Sequence, residues 1–169
     1  FSAEVLDYGP GTEKRLKPGT RVVSVPTAIG TQGAELVGYS NRYPGGFAEQ
    51  MILQEALLLA VPNGLSAEAA ALTEPMSVGE HAVAQAQLTA KSVALVIGCG
   101  PVGLSVIAAL KARGVGPVIA TDLSAERRAA AEKMGADIVL DPREHSPHDK
   151  WEGFDVPATM ASFSTAQLL

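Results

Sequence analysis

Residues 96–104 read VIGCGPVGL, and the segments around this stretch restrict the fold more than anything else in the chain. An apolar run, SVALVIG at 92–98, leads into it, and the helix-forming segment VGLSVIAALKARG at 102–114 leads out. Two more apolar runs follow, PVIATD at 117–122 and ADIVLD at 136–141, with SAERRAAAEKMG at 124–135 between them. Continuous apolar runs are the pattern of strands buried on both faces, and connectors of about a dozen residues can cross between parallel strands as helices. The alternation predicts an α/β chain with a Rossmann-type parallel sheet, a partial βαβαβ unit. Gly114 and Gly135 stand where the two helices should stop, and Ser124 stands where the second should begin.

Within the turn, Gly98, Gly100 and Gly103 fall in the G-x-G-x-x-G spacing. Gly98 permits a tight turn, Gly100 lets a pyrophosphate reach the backbone, and Gly103 lets helix and strand pack closely. The N-terminus of the helix expected over 102–114 supplies free N–H donors to the same anion. Asp122 ends the next apolar run, 19 residues after Gly103, where a carboxylate can accept hydrogen bonds from both ribose hydroxyls of an adenosine. The bland alternative is a glycine-rich turn followed by a surface aspartate that caps the next helix. A methyltransferase that binds S-adenosylmethionine shares a related architecture. Leu123, and not an arginine, follows Asp122, so a 2′-phosphate would meet a like charge with no adjacent cation, which favours NAD over NADP. Arg127 either covers the adenine or ribose edge or shares a solvated helix face with Arg128.

Upstream the grain is different. Residues 1–62 carry short β-rich runs, TRVVSV at 20–25, FAEQMIL at 47–53 and ALLLAV at 56–61, bounded by turn residues, and read as irregular antiparallel β. One helix is expected to begin at the capping Ser66 and a second at Pro75. In ALTEPMSVGEHAV, at 71–83, Glu74 stands directly before that proline in an apolar run. A carboxylate there needs a helix N-terminus, a distant partner or a metal. His81, His145 and His148 lack metal-pair spacing, and Cys99, between two of the glycines, reads as a small buried filler.

A net charge of −5 with 13 Lys plus Arg leaves no basic footprint for nucleic acid, and small-molecule chemistry fits better. The single cysteine rules out an internal disulfide framework and points to a reducing, cytoplasmic setting. No apolar run reaches the roughly 18 residues of a membrane span.

Taken in order, LKPGTRV (16–22), PGGFAEQM (44–51), VPNGLSAEAAALTEPMSVGEHAV (61–83), VIGCGPVGL (96–104) and ATDLSAERRAAAEKMGAD (120–137) resemble the zinc-type medium-chain alcohol/polyol dehydrogenase family, above all its sorbitol and threonine dehydrogenase-like branches. The resemblance implies part of a GroES-like, irregular β catalytic domain over residues 1–74 and an incomplete dinucleotide-binding Rossmann domain over 75–157, with 158–169 unassigned. It implies NAD bound by Gly98, Gly100, Pro101, Val102, Gly103, Asp122 and Arg127, with Val78 lining the nicotinamide pocket and Val102 backing the ring. It also implies a catalytic zinc for which Glu74 supplies one ligand. In such enzymes the zinc acts as a Lewis acid on an alcohol oxygen while hydride passes from its carbon to the nicotinamide. An alcohol or polyol substrate and a homo-oligomer are the expected partners, and no catalytic acid or base is identified.

The departures from the family pattern matter equally. The Cys and Gly-His-Glu segments that hold the zinc in the family would precede FSAEVLDYG, so the chain is expected to be part of a longer one and inactive alone. No cysteine occurs at 26–43, where relatives carry a structural zinc lobe, so no structural zinc is expected. GFDV at 153–156 starts like a further strand that Pro157 interrupts. Two other readings stay open: a zinc-free quinone or enoyl reductase, and a dinucleotide-binding module without catalysis.

Overall fold

A computed structural model describes residues 1–31 and 33–145. His148, the GFDV run and residues 158–169 lie outside the described residues. The chain divides into two compact units, Phe1–Glu74 and Pro75–Leu169.

In the first unit, β1 (Ala3–Glu4), β2 (Arg21–Ser24) and β5 (Leu58–Ala60) form an antiparallel sheet in the order β1-β2-β5. The run TRVVSV supplies the central strand, and Val22 and Val23 are buried in it. A separate hairpin joins β3 (Thr27–Gly30) to β4 (Gly33–Leu36), with Thr27 opposite Leu36 and Gly30 opposite Gly33. Val5, Val22, Val23, Ala28, Val37 and Ala70 make up the small core. Single side chains fix the connections. The Tyr8 hydroxyl donates to the Leu16 carbonyl at 2.6 Å and accepts from its N–H at 3.0 Å. The Glu55 carboxylate accepts from the N–H groups of Glu13 and Arg15, each at 2.8 Å.

FAEQMIL, expected as a strand, is turn and irregular chain. The glycines before it explain why. A side chain at Gly45 would stand 2.8 Å from the Gly38 Cα, so two backbones touch there, and the Ala48 N–H then closes a turn onto the Gly45 carbonyl. The chain is bent where a strand would have to begin, and Phe47 ends fully exposed.

Helix α1 (Ala67–Ala71) begins as expected, with the Ser66 hydroxyl accepting from the Ala69 N–H at 3.2 Å. Helix α2 spans Thr73–Gln85, so it starts before Pro75 and not at it. The N–H groups of a helix's first turn have no intrahelical acceptor, so a proline at the third position forfeits no bond.

The second unit follows the expected alternation closely. Strands β6 (Ala94–Ile97), β7 (Val118–Thr121) and β8 (Ile138–Leu140) are parallel in the order β6-β7-β8. Helices α3 (Pro101–Ala112) and α4 (Ala125–Lys133) make the crossovers. Every residue of β7 is buried, as its central place requires. Val96, Cys99, Ile107, Leu110, Val118 and Ala131 belong to one continuous apolar core between sheet and helices. Where α2 meets α3, a side chain at Gly79 would stand 2.3 Å from the Ser105 Oγ, so the approach depends on glycine. The parallel register sets Thr121 beside Leu140, so Asp122 and Asp141 emerge side by side from the carboxyl ends of neighbouring strands. Ligands of open parallel sheets bind at that edge.

Candidate functional site

The turn from β6 to α3 is built around its glycines. Gly98 has a φ of 92°, a left-handed conformation that suits glycine, and its N–H donates to the Thr121 carbonyl at 2.8 Å. At Gly103 an added Cβ would stand 1.9 Å from the Gly98 carbonyl oxygen, so any larger residue would push the helix off the strand. At Gly100, the N-cap of α3, an added Cβ would meet nothing within 4 Å. Two glycines are thus explained by turn and packing, while the third leaves open space over a helix N-terminus. That is the cradle an anion with a bulky phosphate chain needs. Pro101 occupies the first turn of α3, where its missing N–H costs nothing.

Asp122 faces this turn from the end of β7. Its Oδ2 accepts from the Cys99 N–H at 2.8 Å, and its Oδ1 accepts from the Ser124 N–H at 2.8 Å. Its side chain is only 8% exposed, and the Ser124 N–H first, then the Cys99 N–H and the cations of Arg127 and Arg128, hold its pKa below the ordinary value. The acid is therefore an anion that binds the glycine turn to the start of α4. It does not cap α4, because Ser124 does: its hydroxyl accepts from the Arg127 N–H at 3.4 Å. A carboxylate oxygen has two lone pairs, and each of these backbone bonds uses one, so acceptor capacity remains on both oxygens.

Arg127 lies with Nη1 3.8 Å from Asp122 Oδ2 and its side chain 60% exposed. Arg128, which sequence alone allowed as a solvated neighbour, is drawn inward. Its Nη1 donates to the Asp122 carbonyl at 2.8 Å and the Leu123 carbonyl at 3.1 Å, and lies 3.1 Å from Asp141 Oδ2. Sequence reasoning singled out neither Arg128 nor Asp141 as a site residue. The available signal was that both apolar runs, PVIATD and ADIVLD, end in aspartate.

Val78 on α2 and Val102 on α3 are each 44% exposed, so both offer apolar surface. Cys99 is fully buried, its Sγ donates to the Thr121 carbonyl at 3.5 Å, and burial pushes its thiol pKa up, which leaves it packed and unreactive. Glu74 is exposed in the first turn of α2, and His81 and His145 are exposed as well. Among the described residues no group of three or more His, Cys, Asp and Glu side chains is placed to hold a metal ion. The residues here therefore fit a dinucleotide and do not by themselves fit a zinc ion. No helix among the described residues is long and apolar enough to cross a membrane.

The chain is similar to known dehydrogenases. Residues 101–157 match the family model described as "Zinc-binding dehydrogenase". The (R,R)-butanediol dehydrogenase of Bacillus subtilis is 44% identical over 150 residues, which cover 84% of this chain and 43% of that protein. The crystal structure of 2R,3R-butanediol dehydrogenase from the same organism superposes with a TM-score of 0.75 at 40% identity, over 86% of this chain and 44% of that one. Sorbitol dehydrogenase of Bacillus subtilis is 44% identical over 100 residues, 59% of this chain and 28% of that protein. Acetophenone reductase from Geotrichum candidum, solved in complex with NAD, is similar at 28% identity and a TM-score of 0.72, over 83% of this chain and 45% of that one. The chain thus spans less than half the length of these relatives. The chain thus carries part of a zinc-binding dehydrogenase domain and is similar, over the portion of them that it spans, to butanediol and sorbitol dehydrogenases.

Proposed function

We propose that this chain carries the cofactor-binding region of an NAD-dependent, zinc-assisted oxidoreductase that moves a hydride between an alcohol or polyol and the nicotinamide. The observation that carries the reading is the Asp122 carboxylate held between the Cys99 and Ser124 N–H groups, beside the open backbone at Gly100. When bound, NAD supplies the hydride acceptor. The chain's own residues bind and orient it. Gly100 and the first turn of α3 receive the pyrophosphate, and Asp122 accepts from the adenosine ribose hydroxyls with the lone pairs its backbone bonds leave. Arg127 covers the ribose edge, and the apolar surfaces of Val78 and Val102 serve the nicotinamide end.

Glu74 is proposed as a zinc ligand whose partners lie outside the described residues, and no chemical step is assigned to it here. A homo-oligomeric, cytoplasmic enzyme is the accompanying expectation. The alternative reading is a dinucleotide-binding module without catalysis. Zinc analysis of the protein separates the two. About one zinc per subunit, lost on Glu74→Ala, supports the dehydrogenase. A zinc-free protein that still binds NADH supports the module.

Cofactor choice is tested by fluorescence titration with NADH and NADPH. Clear preference for NADH is expected, and Asp122→Ala should erode it by removing the charge that repels a 2′-phosphate. Equal affinity of the unmodified protein for both would overturn the assignment of Asp122.

A further inference from the structure

Asp141, which no part of the proposed cofactor reading uses, is buried to 8% exposure one strand away from Asp122. A buried carboxylate is costly without partners, and this one is heavily provided for. Arg143 donates to its Oδ1 through the backbone N–H at 3.0 Å and through Nε at 2.9 Å, and its Nη2 binds Oδ2. Arg128 Nη1 lies 3.1 Å from the same Oδ2. The Arg143 guanidinium, through its hydrogen bonds to the carboxylate, keeps the Asp141 pKa well below the usual carboxylate range.

Both guanidiniums reach onward to one place. Arg128 donates to the carbonyls of Asp122 and Leu123, and Arg143 donates to the Leu123 carbonyl at 3.1 Å. On its other side the Asp122 N–H donates to the Leu140 carbonyl at 3.3 Å. The peptide groups flanking the Asp122 Cα are therefore fixed, and those groups determine where its Cα–Cβ bond points. The tie on the Asp122 carbonyl comes from Arg128, which Asp141 binds, while Arg143, bound by the same carboxylate, secures the next peptide at the Leu123 carbonyl.

We propose that Asp141, acting through Arg128 and Arg143, is a positioning residue that aims the Asp122 carboxylate and so sets the discrimination between NADH and NADPH. The proposal rests on the cofactor reading above. Two consequences of losing Asp141 act in the same direction. The Asp122 carboxylate loses its fixed aim at the ribose, which weakens NADH. The released guanidiniums become available to a 2′-phosphate, which strengthens NADPH.

The test measures NADH and NADPH affinities for the unmodified protein, Asp141→Asn, Asp122→Ala and the double variant, with thermal unfolding as a check on folding. Asp141→Asn is expected to cut the NADH to NADPH affinity ratio by roughly three- to tenfold, within the range of contacting residue pairs, and by a smaller factor once Asp122 is already alanine, because only the released guanidiniums then act. Arg143→Gln, at a side chain 65% exposed, is expected to move the ratio the same way by a smaller factor, and it keeps the test alive if Asp141→Asn fails to fold. A purely structural role would weaken both cofactors together, so an unchanged ratio in either folded variant overturns the proposal. Failure of the unmodified protein to bind NADH would instead overturn the cofactor reading beneath it.

Discussion

The two units of the chain are held together by different means. Phe1–Glu74 has short strands, a core of scattered small residues, and connections secured by individual side chains such as Tyr8 on Leu16 and Glu55 on Arg15. The second unit repeats one motif, strand then helix, from Ala94 to Leu140 around a continuous apolar core that includes Ile107, Leu110 and Val118. The first unit should therefore lose stability in small, separate amounts as its ties are cut. The second should lose it in large amounts wherever its common core or its tight turn is disturbed.

Gly103→Ala is the strongest way to break that contrast. Its Cβ would stand 1.9 Å from a carbonyl oxygen, so a loss of about 3 kcal/mol or more is expected, together with loss of NADH binding. Denaturant unfolding and titration check it, and a variant of unchanged stability would show that the turn is far more pliant than its packing suggests. Core truncation comes next. Ile107→Ala, at a fully buried position, should cost about 2–5 kcal/mol. Val22→Ala, equally deep in the first unit, removes less apolar volume and should cost roughly 2 kcal/mol. Equal losses would mean that the first unit has as continuous a core as the second.

Helix capping should erase the contrast. Ser66 and Ser124 accept from the N–H three residues on in the same geometry, so replacing either by alanine should cost about 1 kcal/mol. Acidification should bring a smaller, graded loss in both units, since Glu55 and Glu68 in the first also have pKa values below the ordinary one, owing first to the Arg15 N–H and to Glu68's own N–H respectively. The pKa values of Asp137 and Asp122 lie below their ordinary values, owing first to the Val118 and Ser124 N–H groups respectively. A depressed carboxylate contributes stability that is present above its unfolded pKa, near 4, and lost as pH falls through the folded value. Unfolding midpoints followed from pH 5 downward should fall as these acids protonate, and Asp137→Asn should flatten that slope. A slope unchanged by the substitution would assign the acid sensitivity to other groups.

How much of this could be read from sequence also divides between the units. The described part of the second unit was legible to within about two residues at the ends of its elements, because buried parallel strands, crossover helices, helix-stopping glycines and a strand-end aspartate are all local patterns. The hairpin of Thr27–Gly30 with Gly33–Leu36 was not, because its strands are short and their faces lack clean alternation. FAEQMIL misled because its composition suits a strand, while the close approach of Gly45 to Gly38 that bends the chain lies outside the run itself. Within the candidate site, the placing of the glycines in the strand-to-helix turn and of Asp122 at a strand end was legible for the same local reasons. Arg128 and Asp141 were not, since their meeting depends on the register of β7 against β8 and on a helix turned to face both strands.

The pairing of strands carries a further consequence, for the order in which the chain can assemble. In the second unit each new element packs on one completed shortly before it, so structure can accumulate as the chain lengthens. In the first, the central strand β2 must wait for β5, with Val23 pairing to Leu59 across the whole intervening hairpin and loop. During synthesis the first sheet cannot close until Ala60 has emerged, although its opening strand appears at Ala3. The unit made first is thus the one that must search longest for its partners, and loop closure over such separations is what slows folding.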